Sequence, residues 1–195
     1  MDNLNDELIN TISELNLQED ILLSDIPNLD LYMDQVITLF ENGLKGSKRS
    51  EQDKILTKTM INNYSKDKIL IPIKNKKYSK NHIIMMILIY NLKQSLSIND
   101  IKVLMDKIVK SFEKDNEESI ELEKIYEGFL AIKKCNTEEF QQSMEKKINF
   151  IDEKTDFIFK DQHEYEKLLL IVLSLINSAN TQKRMAEKII DKYFK

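Results

Sequence analysis

Pro27, Gly43, Gly46, Pro72 and Gly128 are the only prolines and glycines among 195 residues. These two residue types supply most turns and most helix and strand ends, so a chain with so few of them favours helices over a turn-rich β architecture. Apolar residues make up 42% of the chain and charged residues 32%, which is enough to fill a core and excludes a disordered composition. The length suits one domain of about 150 residues or two small ones.

Apolar spacing fills in the elements. Leu4, Leu8, Ile12 and Leu15 form one stripe of an amphipathic helix, giving a 1–25 helical arm. Pro27 ends any helix before it, and Asp30 is a candidate cap for the next, which carries Val36, Leu39, Phe40 and Leu44 on one face. A polar loop spans 46–53. Thr57 can cap a short helix with Leu56, Met60, Ile61 and Tyr64 inward and Lys58, Thr59, Asn62, Asn63 and Lys66 outward. Pro72 breaks that helix, and the alternation of 70–73 suggests strands around a lysine-tipped turn at Lys74 to Lys77. Ser79 can cap a helix that is apolar on most sides and therefore central. Ser97 with Asp100 makes an acidic version of the capping box for the helix after it.

The expected C-terminal half is a bundle of four helices. Leu122 to Lys133 reads as the first. Asn136 and Thr137, followed by Glu138 and Glu139, start a second that carries Phe140, Met144, Ile148 and Ile151. A third runs from about Glu164 through Ile176, and a fourth follows Asn177 to Asn180 with Met185, Ile189, Ile190 and Phe194. No apolar run approaches the roughly 20 residues of a membrane-spanning helix, and no export signal is visible at the start. With a single cysteine, Cys135, no internal disulfide is possible, and the expected compartment is the cytoplasm.

Signatures of catalysis are missing. His82 and His163 belong to no metal-ligand pattern, and the three glycines cannot build a phosphate loop. His82 reads as a surface or capping residue and Cys135 as a buried, inert thiol. The pairs Glu117 and Glu118, and Glu138 and Glu139, read as helix-start and solvated charges. The chain is therefore expected not to be an enzyme and to hold no metal or cofactor.

Charge is the stronger signal. Net charge is -4, yet between Lys45 and Lys80 eleven basic residues face three acids, while the remaining 159 residues hold 18 bases and 30 acids. A basic block in an acidic protein suggests one face built for a polyanion. Asn62 and Asn63 can make bidentate contacts to adenine, and Thr57, Lys58 and Thr59 can reach bases or phosphates. Lys66, Lys74, Lys76, Lys77 and Lys80 suit phosphate. Tyr64 and Tyr78 read first as core aromatics, with a partly exposed hydroxyl offered to phosphate as the other reading, and Tyr78 is counted among the candidate contacts.

The stretches TKTMINNYSKDKILIP, KKYSKNHI and LSINDI resemble the second half of a MerR-type winged helix-turn-helix, over about Leu31 to Val109. With IPNLDLYMDQV ahead of them, the whole chain is similar to the bacterial domain-of-unknown-function family 1836. The resemblance implies a mainly α fold. In it, a winged helix-turn-helix domain at 26–112, with a small β-hairpin wing, is followed by a C-terminal helical domain at 113–195. Where the MerR pattern has arginines, this chain has Thr59 and Asn62 in the recognition helix and Asn75 and Lys76 in the wing, which weakens phosphate clamping. Lys68 stands in the usual glycine position. The function expected is DNA-binding transcriptional regulation by a homodimer on double-stranded DNA, with no membrane partner and an effector unknown. The other reading is a helical adaptor that keeps the winged-helix fold for a protein partner.

Overall fold

The computed structural model describes residues 2–113, 120–158 and 164–195. His163, Glu117 and Glu118 lie outside the described residues. The chain divides into two compact units, the first made of Met1–Gln18 with Ile132–Ala186, the second of Glu19–Ala131 with Glu187–Lys195. The 26–112 segment lies wholly within the second. Among the described residues no helix is long and apolar enough to cross a membrane.

In the first unit, α1 (Asp2–Glu14) joins portions of two long helices, α6 (Leu122–Ile158) and α7 (Glu164–Tyr193). Leu8 and Ile12 of the N-terminal stripe pack against Met144, Ile148, Ile151 and Ile171. Beside this apolar seam the Lys167 ammonium, almost fully buried, pairs with Asp152 and donates to Asn5 Oδ1 at 2.6 Å. Asn5 Nδ2 in turn donates to Asp152 Oδ2 at 2.7 Å. One polar triad therefore ties α1, α6 and α7 together, with Lys167 buried and Asn5 and Asp152 half-buried around it.

The two helix breaks expected at Asn136–Thr137 and Asn177–Asn180 do not occur, because α6 and α7 run straight through them. Thr137 donates its hydroxyl to the Lys133 carbonyl at 3.0 Å, and Thr181 does the same to Asn177 at 2.9 Å. Such i−4 bonds absorb the side chains that could have capped a new helix, and no proline or glycine follows to stop the old one.

The second unit begins with a 3₁₀ turn at Leu23–Asp25 and β1 (Leu31–Tyr32), then α2 (Met33–Gly43) and a 3₁₀ turn at Lys45–Ser47. After these come α3 (Lys58–Lys66), β2 (Lys77–Tyr78), α4 (Lys80–Leu92) and α5 (Ile98–Glu113). The start of α2 differs from expectation: Tyr32 precedes it, and its backbone N–H donates to Gln35 Oε1 at 2.8 Å, so Asp30 is not the cap. Glutamine three residues into the helix satisfies an N–H that the helix itself cannot. Every residue of α4 from His82 to Ile87 is buried, together with Ile89, which makes α4 the central helix. A helix apolar on all sides is stable only when surrounded, here by Val36, Phe40, Ile61, Tyr64, Ile101 and Tyr126. The Tyr126 hydroxyl donates to the Ile21 carbonyl at 2.7 Å, and burial holds its pKa well above the usual phenol value. Gly43 is required where it stands, since a Cβ there would lie 2.5 Å from Ile21 Cγ1.

The β structure is smaller than the sequence suggests and paired differently. Residues 70–73 form no ladder. β2 pairs antiparallel with β1, Leu31 opposite Tyr78 and Tyr32 opposite Lys77. The lysine-tipped turn itself is present, closed by the Lys74–Lys77 bridge with Lys77 N–H on the Lys74 carbonyl at 3.0 Å. Pro72 cannot donate to a ladder, and Leu70 and Ile71 are buried in the core, which leaves only Lys74 to pair.

Candidate nucleic-acid interface

Thr57 caps α3 as expected, its Oγ1 accepting the Met60 N–H at 3.1 Å. With Ile61 and Tyr64 buried, the opposite face exposes Lys58, Thr59, Asn62, Asn63 and Lys66. The helix ends in a Schellman turn: Lys68 N–H bonds to the Ser65 carbonyl at 3.2 Å and Ile69 N–H to the Tyr64 carbonyl at 3.0 Å. Lys68, at the left-handed position where glycine is usual, has φ +58°. This turn sets the direction in which the chain leaves α3 for the lysine-tipped turn.

At that turn Asn75 and Lys76 both have positive φ, +54° and +57°, the geometry of a type I′ turn. Asparagine tolerates it, and Lys76 occupies the place glycine would favour. Lys74 and Lys76 are exposed and Lys77 partly so. Lys77 Nζ stands 5.3 Å from the centroid of the exposed Tyr32 ring, a cation–π contact. Among the described residues no carboxylate pairs with Lys66, Lys74, Lys76 or Lys77.

Three expected contact residues are otherwise engaged. Lys58 forms an exposed ion pair with Asp34 at 2.7 Å, and Lys80 pairs with Glu123 at 2.8 Å. Tyr78 is buried, its ring edge-on to His82 with centroids 5.8 Å apart, so it belongs to the core and presents no surface to a phosphate. Burial raises the pKa of both Tyr64 and Tyr78.

His82 is buried, not on the surface, and caps α4 in reverse: its Nδ1 accepts from the Ser79 backbone N–H at 3.1 Å and lies 2.8 Å from the Ser79 hydroxyl. Burial lowers its pKa, partly offset by the Pro72 and Ile71 carbonyls and the Asp30 charge. Cys135 is exposed rather than buried, and the Glu139 charge beside it raises its pKa.

Sequence reading missed two supports of this surface. Tyr32 meets Lys77 only through a strand pair between segments 45 residues apart, which no local pattern signals. Lys93, half-buried at the end of α4, lies 4.9 Å from the Tyr90 ring centroid and 3.3 Å from the Ile55 carbonyl, tying α4 to the segment that enters α3. Its apolar neighbours lower its pKa by burial, and its spacing alone marks it as a surface lysine.

One family model, described as a domain of unknown function (DUF1836), matches residues 21–129. No curated protein and no solved structure matches the chain.

Proposed function

The chain belongs to the DUF1836 family, whose matched region contains α3, β2 and the lysine turn, and from that premise we propose that it is a DNA-binding transcriptional regulator. In this reading the second unit works as a winged helix-turn-helix of MerR type, with α3 in the major groove and the Lys74–Lys77 turn on the adjacent backbone. The observation that carries it is the pairing of an acid-free outer face on α3 with Lys66, Lys74, Lys76 and Lys77, which have no carboxylate partner among the described residues. Thr59, Asn62 and Asn63 offer base-reading groups, while Lys66, Lys74, Lys76 and Lys77 supply charge. Lys58 and Lys80, held by Asp34 and Glu123, contribute less. About four neutralised phosphates give a log-log salt slope of roughly -4 per subunit. Work on DNA places the protein in the cytoplasm.

The regulator is a homodimer addressing a two-fold site. Leu169, Val172, Leu173 and Ile176, spaced for one face of α7, are each about half exposed, and Leu173 also lines a groove with Leu170 of α7 and Phe150, Ile151 and Ile158 of α6. A continuous apolar stripe of this kind marks an interaction surface. The same stripe would serve an adaptor, and the lysines separate the two readings.

The test is fluorescence anisotropy of the purified protein on fragments of its own genome, including the region upstream of its gene, across a salt series. Saturable binding to a few fragments, weakening steeply with salt and lost in Lys74→Gln/Lys76→Gln/Lys77→Gln, is the expected result. A folded protein that binds no fragment at low salt overturns the DNA reading and directs the search to protein partners.

A further inference from the structure

The polar groups of α3 divide into those engaged within the chain and those left over. Thr57 Oγ1 holds the Met60 N–H, and the Ser65 hydroxyl donates to the Ile61 carbonyl at 3.1 Å. Threonines deeper in a helix, such as Thr38 and Thr181, close on the carbonyl four residues back. Thr59 stands in the first turn of α3, and the carbonyl four residues before it, that of Ile55, takes the Lys93 ammonium at 3.3 Å instead. Asn91 of α4 turns its amide onto the Ile87 carbonyl at 2.9 Å, whereas the Asn62 and Asn63 amides meet no partner among the described residues. The exposed Thr59 hydroxyl and the two exposed amides are therefore what α3 presents, and a spacing of three and four residues sets them within one turn of one face.

Hydrogen-bonding chemistry decides which bases such a face fits. Adenine shows the major groove an acceptor at N7 and a donor at N6, and a carboxamide, with one donor and one acceptor, matches both. Guanine shows two acceptors and calls for arginine or lysine, while the N4 donor of cytosine calls for an acid. The outer face of α3 holds no arginine and no acid. Lys58 is drawn onto Asp34 at 2.7 Å. Lys66 lies in the last turn, beyond the N-terminal residues that a recognition helix turns toward base edges. The Thr59 methyl completes the set, since the C5-methyl of thymine is the apolar mark of an A·T pair. We infer that α3 selects adjacent A·T base pairs, with Asn62 and Asn63 on adenine edges, Thr59 on a thymine methyl, and Lys58 withheld from guanine by Asp34. The inference rests on the DNA-binding reading above and adds the base composition of the target and the residues that set it. The lysines of the turn add affinity without choosing a sequence.

The test selects duplexes with the full chain from a library randomised over about two helical turns and sequences those recovered. The expected result is a shared core of A·T pairs. In anisotropy, Asn62→Ala/Asn63→Ala should bind that core about tenfold or more weakly while holding an unrelated duplex as tightly as the parent. Replacing core adenines by 7-deazaadenine, which keeps the base pair and lacks N7, separates direct reading from a preference for A·T-rich shape. It should weaken the parent and leave the asparagine variant unaffected. Selection with Lys58→Ala should recover the same core. The inference is overturned, with DNA binding left standing, by a core fixed by G·C pairs, by a 7-deazaadenine loss that is absent or equal in parent and variant, or by a core that changes with Lys58→Ala. A folded protein that recovers no duplex overturns the DNA reading itself, and the base preference with it.

Discussion

Lys68→Gly should make the protein more stable, because the native residue is strained where glycine is not. Lys68 closes the Schellman turn of α3 with φ +58°, and its side chain is exposed, so the substitution removes no packing. A non-glycine residue in this conformation costs about 1–2 kcal/mol. Glycine returns about 0.5–1 kcal/mol of that through its freer unfolded chain. The net gain is then about 0.5–1 kcal/mol, or roughly 1–4 °C in Tm for a chain of this size. Urea and thermal unfolding followed by circular dichroism measure it, with two controls. Lys68→Ala removes the same charge but keeps the strain and should change stability little. Asp67→Gly, one residue earlier at φ -77°, has no strain to relieve and should cost about 0.5–1 kcal/mol. A Lys68→Gly protein no more stable than the parent, or a Lys68→Ala protein that gains as much, would refute the strain argument.

Gly43→Ala drives a methyl to 2.5 Å from Ile21 Cγ1 in the core, and should lower stability by about 1–3 kcal/mol, read from the urea midpoint. Lys167→Met leaves Asp152 without its ammonium partner and Asn5 with a vacant acceptor, a loss of about 3 kcal/mol. Hydrogen exchange should show that loss in α1 and α7 of the first unit while α4 keeps its protection. The pKa of His82 is lower folded than unfolded, so the unfolded chain takes up a proton first as pH falls. The stability that neutral His82 contributes is complete above the unfolded value near 6.5 and declines below it, levelling off once pH drops beneath the folded value. His82→Gln should flatten this part of the profile, and Tm at pH 7.5, 6.5 and 5.5 for parent and variant (pH values set by the roughly 6.5 reference of histidine) gives the difference directly.

Local sequence carried some of this structure and hid the rest. The α3 cap, its buried Ile61 and Tyr64 and its polar outer face depend on residues within one or two turns, and spacing was enough to find them. The central place of α4 was equally visible, since a run with no polar side can go nowhere else. The β1–β2 pair was not, because two-residue strands carry no period and their partners are distant in the chain. Asn136 and Thr137 misled for a different reason. A threonine that caps and a threonine that back-bonds within a helix look alike until the preceding carbonyl is known to be free or taken. The burial of His82 had no sequence signal at all, because a histidine at a helix start is usually solvated and only the fold brings the Ile71 and Pro72 carbonyls against it.

The triad of Asn5, Asp152 and Lys167 also bears on how the chain is made. Its members are separated by 147 and 162 residues, and a ribosome adding about 5–20 residues per second leaves α1 waiting for roughly 7–30 s before its partners emerge. During that time Leu8 and Ile12 have no native surface to cover them, while the segment 19–131 can already collect most of the second unit's core. Synthesis and burial therefore run in opposite orders, since α1 is translated ahead of the second unit and finds its place after it.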